Sequence, residues 1–219
     1  TLAISSVKTV NFNAGYCMNT AITGTVMNIT SVNNILFSGN IEQLNNAGAI
    51  MQIGSTQSIT VNGDVIRNPS VSYVTASLLV ITGTGAVTIN GTLQELADAQ
   101  SSGSSAYTVV DISSLNANFY CKGIIATGKA DFVIDTSTAA FNYTLTIDGD
   151  IVATNVNYDL SAAALVDISC PSITLIVTGN IYPPTLGTSN SYNIGCIKVT
   201  SVTKVIRVLG TCFGSTKQP

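Results

Sequence analysis

Apolar and polar residues alternate along this chain in short phrases, each interrupted by a glycine. In "SITVNGDV", residues 58 to 65, Ile59 and Val61 alternate with polar residues, Gly63 interrupts, and Val65 resumes the alternation. Related phrases recur as "AVTINGTL", "TLTIDGDI", "LIVTGNI" and "VIRVLGTC". An alternation with a period of two residues predicts β-strands that bury one face.

Eight copies of the phrase align when the interrupting residue is taken as the origin. The origins lie 24 to 32 residues apart, at Ala14, Gly39, Gly63, Gly91, Gly123, Gly149, Gly179 and Gly210. Three columns are apolar in all eight copies: the fourth and the second residue before the origin, and the second residue after it. For Gly123 these columns hold Phe119, Cys121 and Ile125. A period of this length is typical of stacked supersecondary units.

A second apolar pair precedes each phrase, such as Met27 with Ile29 or Phe132 with Ile134. We therefore predict an all-β protein that forms a parallel β-helix, or β-solenoid, of about eight coils. Each coil would have two regular strands plus a variable third side, and each coil would complete the core of its neighbours. Residues 1–212 would form a single solenoid domain, and residues 213–219 a C-terminal tail.

An antiparallel β-sandwich, with Asn-Gly and Asp-Gly as hairpin turns, is the alternative fold. It does not explain why the apolar alternation keeps the same phase on both sides of each glycine. In a solenoid the glycine would allow a corner through a positive φ or a close backbone approach. The flanking Asn, Asp, Ser and Thr residues would hydrogen-bond the local backbone, and asparagines could also stack in ladders.

Composition narrows the function classes. Apolar residues make up 46% of the chain and charged residues only 9%, with a net charge of −3. The eight Lys and Arg residues are scattered singly, which argues against nucleic-acid binding. No apolar run approaches the ~20 residues of a membrane helix, so we expect no membrane insertion. No motif indicates a cofactor or a metal site.

The five cysteines are odd in number, form no CxxC pair, and have no His beside them. A disulfide framework and a zinc site are therefore not expected. Cys121 and Cys212 replace aliphatic residues in inward columns, so we expect both to be buried thiols. Cys17, Cys170 and Cys196 lie near turns, and one disulfide bond among them is left as an alternative.

A glycosidase needs a pair of carboxylates that flank the bond to be cleaved. Asp111 and Asp167 occupy the same column in "VVDIS" and "LVDIS", with Val133 between them, and we interpret them as outward solvating residues. Asp64, Asp148 and Asp150 flank corner glycines, where stabilising the turn is the expected role. Two carboxylates, at 148 and 150, fall short of a calcium loop. We therefore predict no catalytic residue.

Aromatic residues on the variable third side are the candidate ligand-binding residues. A tyrosine ring can stack on a sugar, and its hydroxyl can pair with the sugar's polar groups. The alternative is that these rings seal the third side or an oligomer contact. The five candidates are Tyr73, Tyr107, Tyr158, Tyr182 and Tyr192.

The repeat pattern and the Ser/Thr/Asn-rich composition resemble parallel β-helical proteins of virus particles and cell surfaces, such as phage tailspikes, fibres, capsid decoration proteins and bacterial adhesins. The resemblance implies a projecting, often trimeric rod. The viral branch fits better, because free thiols suit folding in a cytoplasm and adhesins are usually longer and exported. We expect a non-enzymatic structural or attachment protein at a virion surface.

The expected partners are further copies of the chain, as a homotrimer, other particle or surface proteins, and host glycans. No cap is evident on either terminal coil, which also favours docking against another molecule. The alternatives are a polysaccharide depolymerase on the same fold, and a glycan-binding adhesin at the cell surface or outside the cell.

Overall fold

The computed structural model describes residues 2–5, 8–18, 25, 27–30, 33–44, 48–54, 57–68, 77–83, 85–96, 108–112, 118–127, 132–136, 143–154, 164–169, 172–184, 195–200 and 205–214. These ranges contain β-strands and no helix. The strands of the first half are β1 (Leu2–Ser5), β2 (Thr9–Phe12), β3 (Tyr16–Met18), β4 (Met27–Thr30), β5 (Asn34–Phe37), β6 (Ile41–Gln43), β7 (Met51–Gly54), β8 (Ser58–Val61), β9 (Val65–Arg67), β10 (Leu79–Ile81) and β11 (Ala86–Glu95). Those of the second half are β12 (Thr108–Ile112), β13 (Phe119–Ala126), β14 (Phe132–Asp135), β15 (Thr144–Ile147), β16 (Ile151–Ala153), β17 (Ala164–Ile168), β18 (Thr174–Val177), β19 (Ile181–Tyr182), β20 (Gly195–Val199) and β21 (Val205–Val208).

The strands stack into two parallel sheets that wind around a common core. The first sheet has eight strands in the order β1-β4-β7-β10-β12-β14-β17-β20, one from each repeat. The second has 13 strands, and its main path runs β2-β5-β8-β11-β13-β15-β18-β21. Every strand pairs with the equivalent strand of a neighbouring repeat, and each of these strand pairings is parallel, as in β5 with β8. The fold is therefore a β-solenoid, and the antiparallel sandwich is wrong.

Alternating side chains fill the space between the sheets. Val61, Ile89 and Ile147, which belong to one predicted inward column, are fully buried. Their strand neighbours Thr60, Thr88 and Thr146 face outward and are partly exposed. This is the period-two burial expected of a strand with one face on a core. Each coil contributes only a thin slice of that core, so the coils above and below must cover it.

The third side is more regular at its start than predicted. After each of the first seven corners the chain continues as a strand, and these strands pair with one another, as β3 with β6 and β6 with β9. β11 and β13 run through the corner without a break and join this third row to the second sheet. The prediction of two regular strands and a variable third side in each coil is therefore corrected. The third side also begins with a strand.

The corner glycines allow coils to approach closely, and a positive φ is not their reason. Among the described glycines only Gly123 has a positive φ, of 158°, which is close to extended backbone. A Cβ added to Gly63 would lie 2.6 Å from the carbonyl carbon of Gly39, in the coil before it. A Cβ added to Gly39 would lie 2.8 Å from the Cα of Gly15. No side chain fits in this gap between stacked backbones.

Ala14 is the one residue of the corner column that is not glycine. Strand pairing on either side places Ala14 level with Gly39. A side chain at this corner points toward the preceding coil, and the described chain has no coil before the first. By the same geometry the methyl group of Ala14 points out of the N-terminal end, where the residue is exposed. A coil stacked in register on this end would meet that methyl group.

Polar side chains beside the corner bond the next coil, not their own turn. The side-chain oxygen of Asn40 accepts the backbone N–H of Asp64 at 2.9 Å. The Oδ1 of Asp64 in turn accepts the backbone N–H of Thr92 at 2.7 Å. Asp150 accepts the N–H of Asn180 at 2.7 Å, in the same manner. The expected local bonds at the turn are therefore replaced by bonds that tie one coil to the following one.

One corner is a residue shorter than the sequence alignment assumed. Ile89 pairs with Cys121, but Thr92 pairs with Gly123, so Lys122 alone faces two residues of β11. Every later position of β13 shifts by one. Ile124 consequently takes the buried inward place beside Leu93, and Ile125, which was predicted to point inward, is only partly buried.

A polar column runs inside the third row of strands. Gln43, Arg67 and Glu95 occupy successive coils and are fully buried. The Nη1 of Arg67 lies 2.8 Å from the Oε2 of Glu95, and its Nη2 donates to the carbonyl oxygen of Gly48 at 2.7 Å. In the following coils the column becomes apolar, with Ala126 and then Ala153. Burying both charges costs desolvation free energy, which the ion pair and the hydrogen bond to Gly48 oppose.

Candidate functional site

The first sheet brings three aspartates onto neighbouring strands. Asp111 pairs with Asp135, and Asp135 pairs with Asp167. The sequence alignment had placed Val133 between Asp111 and Asp167, and this was wrong by two residues. Phe132 pairs with Thr108 and Ile134 with Val110, so the strand of this repeat enters the sheet two residues earlier than the apolar pairs suggested.

Asp167 is not the solvating residue that was predicted. It is only 5% exposed, and its Oδ2 lies 2.8 Å from the Nζ of Lys198 on β20. Its Oδ1 accepts a hydrogen bond from the hydroxyl of Ser169 at 3.3 Å. Both carboxylate oxygens are therefore occupied, and a sugar could not reach them. Asp111 is half-buried, and burial raises the pKa of its carboxyl above the usual 3.8.

The aspartates beside the corner glycines serve the stack. Besides the backbone bonds of Asp64 and Asp150, Asp148 accepts the hydroxyl groups of Tyr120 at 2.9 Å and Thr178 at 3.0 Å. The hydrogen bond to Asp148 is the main cause of the raised pKa of Tyr120. Within the described ranges, no group of three or more Cys, Asp or Glu side chains could hold a metal ion.

Tyr182 is the one predicted ligand-binding residue that lies in the described part of the chain. Its ring stacks on that of Phe213, with centroids 4.7 Å apart and planes 10° from parallel. Its hydroxyl oxygen accepts a hydrogen bond from the side-chain amide of Asn180 at 3.0 Å. Tyr73, Tyr107, Tyr158 and Tyr192 lie outside the described residues.

An open cleft of about 410 Å³ lies beside this aromatic pair. It is lined by Val152, Ala153, Thr154, Tyr182 and Pro183, from the third row of strands and the segments that follow them. The lining is mostly apolar, with a threonine hydroxyl and a tyrosine hydroxyl as polar groups. A flat aromatic ring at the edge of such a cleft suits a ligand with both an apolar face and hydroxyl groups.

The last coil, which comprises β20, β21 and residues 209–213, is the second notable surface. Large hydrophobic residues are exposed here: Val199, Val205, Ile206, Leu209 and Phe213. Every exposed large hydrophobic residue of the described ranges belongs to this coil. Cys212, which was predicted to be buried, is exposed for the same reason, because no described coil covers it. Cys121, in the middle of the stack, is buried as predicted.

Two features of this region escaped the sequence analysis. Phe213 was assigned to a tail, yet its backbone N–H bonds Ile181 O at 3.0 Å and its ring packs on Tyr182. Cys196 was placed near a turn, whereas it lies within β20. An aromatic residue directly after the last inward position, Cys212, was the available signal for the packing of Phe213. Nothing in the spacing of the apolar residues indicated that Cys196 lies within a strand.

The fold and these surfaces define a class of protein, an all-β solenoid with parallel stacked sheets. No protein-family model matches the chain, and no curated protein and no solved structure matches it. The described part of the chain contains no helix that is long and apolar enough to span a membrane.

Proposed function

We propose that this protein is a non-enzymatic structural or attachment protein of a virus particle of the phage type, and that its last coil is the docking end. The supporting observation is the concentration of exposed apolar residues in that coil, among the described ranges. Exposed apolar surface of this kind marks contact sites. The virion setting comes from the resemblance of the repeats to β-helical particle proteins.

The strands of the last coil also offer unpaired edges. β20 and β21 are terminal in their sheets, so one side of each strand has no neighbour in the described chain. An open, apolar strand edge is a template for pairing with another chain. Leu209, which is 64% exposed, lies at the corner directly after β21. The open strand edges and the exposed apolar residues thus belong to the same coil.

The partner that this surface fits is the last coil of another copy. The first coil of a copy would bring the methyl group of Ala14 against the backbone at Gly210, where the glycine column leaves no room for a Cβ. Head-to-tail stacking in register is therefore disfavoured. Copies that meet through their last coils use the same surface on each side and close as a two-fold dimer.

The test is the mass of the native chain in solution. We expect an oligomer by sedimentation or native mass spectrometry, and we expect Leu209→Asp to convert it to a monomer. Leu36→Asp is the matched control, because Leu36 faces outward from β5, far along the stack. The control should leave the oligomer intact. A wild-type chain that is monomeric at micromolar concentration would overturn docking between copies.

Glycan binding at the cleft is a second candidate, favoured by the stacked ring of Tyr182 beside it. A panel of immobilised oligosaccharides is the probe. Tyr182→Ala should abolish binding, whereas Tyr120→Ala, on the outer face of β13, should preserve it. Equal binding by both variants would show that Tyr182 only packs against Phe213. Release of new reducing ends from a polysaccharide would instead support the depolymerase alternative.

A further inference from the structure

Two cysteines of the last coil, Cys196 and Cys212, lie close together. The Sγ of Cys196 donates a hydrogen bond to the carbonyl oxygen of Phe213 at 3.0 Å and lies 4.0 Å from that of Ile181. Phe213 directly follows Cys212, and Ile181 is the bridge partner of Cys212. The thiol of Cys196 therefore lies against the carbonyl of Phe213, the residue after Cys212, and near that of Ile181, the residue paired with Cys212. This contact closes the coil, because it joins the start of β20 to the end of the third side.

The surroundings of the two thiols differ in a useful way. Burial is the main cause that raises the pKa of Cys196 to about 11, and the charge of Cys212 and a hydrogen bond with its thiol add to the effect. Cys212 is exposed, so a reagent in solution reaches it first. Both residues are free thiols in the structure.

We propose that Cys196 and Cys212 form a reversible disulfide that staples the last coil shut. The oxidant is a small-molecule disulfide such as oxidised glutathione. The Cys212 thiolate, after losing its proton to solvent, attacks one sulfur of the oxidant, and one glutathione thiolate leaves. Cys196 then loses its proton and attacks the Cys212 sulfur of this mixed disulfide, releasing the second glutathione. The protein loses two protons and two electrons, and the oxidant becomes two thiols.

The staple acts where the stack is least supported. Within the described residues the last coil has a neighbouring coil on one side only, and its strand β21 pairs with β18. A bond between residues 196 and 212 encloses β21 in a closed loop and restricts the opened states available to it. Oxidation should therefore fix the coil that carries the exposed apolar surface. The inference does not rest on the proposed function, since it concerns closure within one chain.

The experiment treats the chain with oxidised glutathione in a Cys17→Ser, Cys170→Ser background, at a protein concentration low enough to disfavour contact between chains. We expect the intact mass to fall by two hydrogens and a peptide map to join residues 196 and 212. Cys121→Ser is the matched control and should leave the link unchanged, because Cys121 is buried in the middle of the stack. Cys196→Ser should instead stop at a glutathione adduct on Cys212.

Amide hydrogen exchange supplies a second measurement. Exchange in β21 should slow by about tenfold or more on oxidation, from the loop restriction, and should recover with a thiol reductant. A stable glutathione adduct in the background chain, or a disulfide-linked dimer, would overturn the proposal. An internal bridge that left exchange in β21 unchanged would overturn the claim that it staples the coil.

Discussion

Leu175 and Ile206 occupy the same column on neighbouring strands, yet one is sealed and the other is not. The two residues pair directly across β18 and β21. Leu175 is fully buried, whereas Ile206 is 39% exposed. Their sequence surroundings are alike, so the difference comes only from what lies above each coil. Burial in a solenoid is a property of the stack and not of the repeat, and the central coils and the end coils therefore have different tolerances.

The largest effect is expected from disrupting the ion pair that is buried in the core of the central coils. Arg67→Met would remove the cation 2.8 Å from the buried carboxylate of Glu95. We expect a loss of about 3–5 kcal/mol in the free energy of unfolding, measured by urea denaturation, because an uncompensated charge remains in the core. No residue of the last coil should show a loss of this size.

The control for this change is the double variant Arg67→Met, Glu95→Leu. Replacing both charges with apolar groups should recover most of the lost stability, since it removes the desolvation cost as well as the attraction. A double variant as unstable as the single one would mean that packing, and not charge, accounts for the effect. The central coils would then differ from the end coils only in how much stability a lost packing contact costs.

Substitutions at Leu175 and Ile206 should give the next largest change in the free energy of unfolding. Leu175→Ala should cost about 2–5 kcal/mol, because it leaves a cavity within a closed core. Ile206→Ala should cost about 1 kcal/mol or less in the monomer, because water already reaches that position. Urea denaturation of both variants at the same low concentration makes the measurement. Equal losses would show that something in the free chain already covers the last coil.

Substitutions in the corner column compare Gly63, in a central coil, with Ala14, in the first coil. Gly63→Ala should cost about 1–3 kcal/mol or more, since its Cβ would lie 2.6 Å from the backbone of Gly39. Ala14→Gly, the reverse change in the same column, should cost about 1 kcal/mol or less, the backbone entropy of one glycine. Thermal unfolding of the pair measures both. A large loss for Ala14→Gly would mean that its methyl group packs against part of the molecule.

The sequence predicted the parallel stack because the alternation continues through eight corners, seven of them at glycine. It could not predict the register at every corner. The apolar pattern around Gly123 accepts either Ile124 or Ile125 as the inward residue, and only pairing with Leu93 decides between them. The shift of Phe132 against Thr108 has the same origin, since one strand can slide by two residues without exposing its apolar face.

The candidate surfaces were less accessible to sequence analysis than the fold. Tyr182 could be chosen by type and position, but its contact with Phe213 depends on the path of the chain after the last strand. Arg67 and Glu95 look like surface charges in sequence, 28 residues apart, and only the coil spacing joins them. The sequence indicated that the last coil has no cap, but not that Ile206 and Cys212 are exposed, because both carry the same inward pattern as buried residues.

The smallest expected change in stability concerns Asp111, on the outer face of the first sheet. Asp111 is half-buried, and its raised pKa means that the folded state resists ionisation of this carboxyl. Between the unfolded value of 3.8 and the higher folded value, the folded chain binds more protons, so stability falls as pH rises through this window. Above the window the penalty is constant. Asp111→Asn removes it, because the amide carries no charge. We expect stabilisation of about 0.5 kcal/mol or less at pH 7, and none below the unfolded pKa.

Asp148→Asn is the matched control, since Asp148 accepts hydrogen bonds from Tyr120 and Thr178 and belongs to the bonds between coils. That variant should lose stability at pH 7, where Asp111→Asn gains it. Thermal unfolding of both variants at pH 3 and pH 7 separates the two cases. If Asp111→Asn were destabilising at neutral pH, the carboxylate would be making a favourable contact, and the covered centre of this sheet would resemble its Lys198 end, where Asp167 is paired.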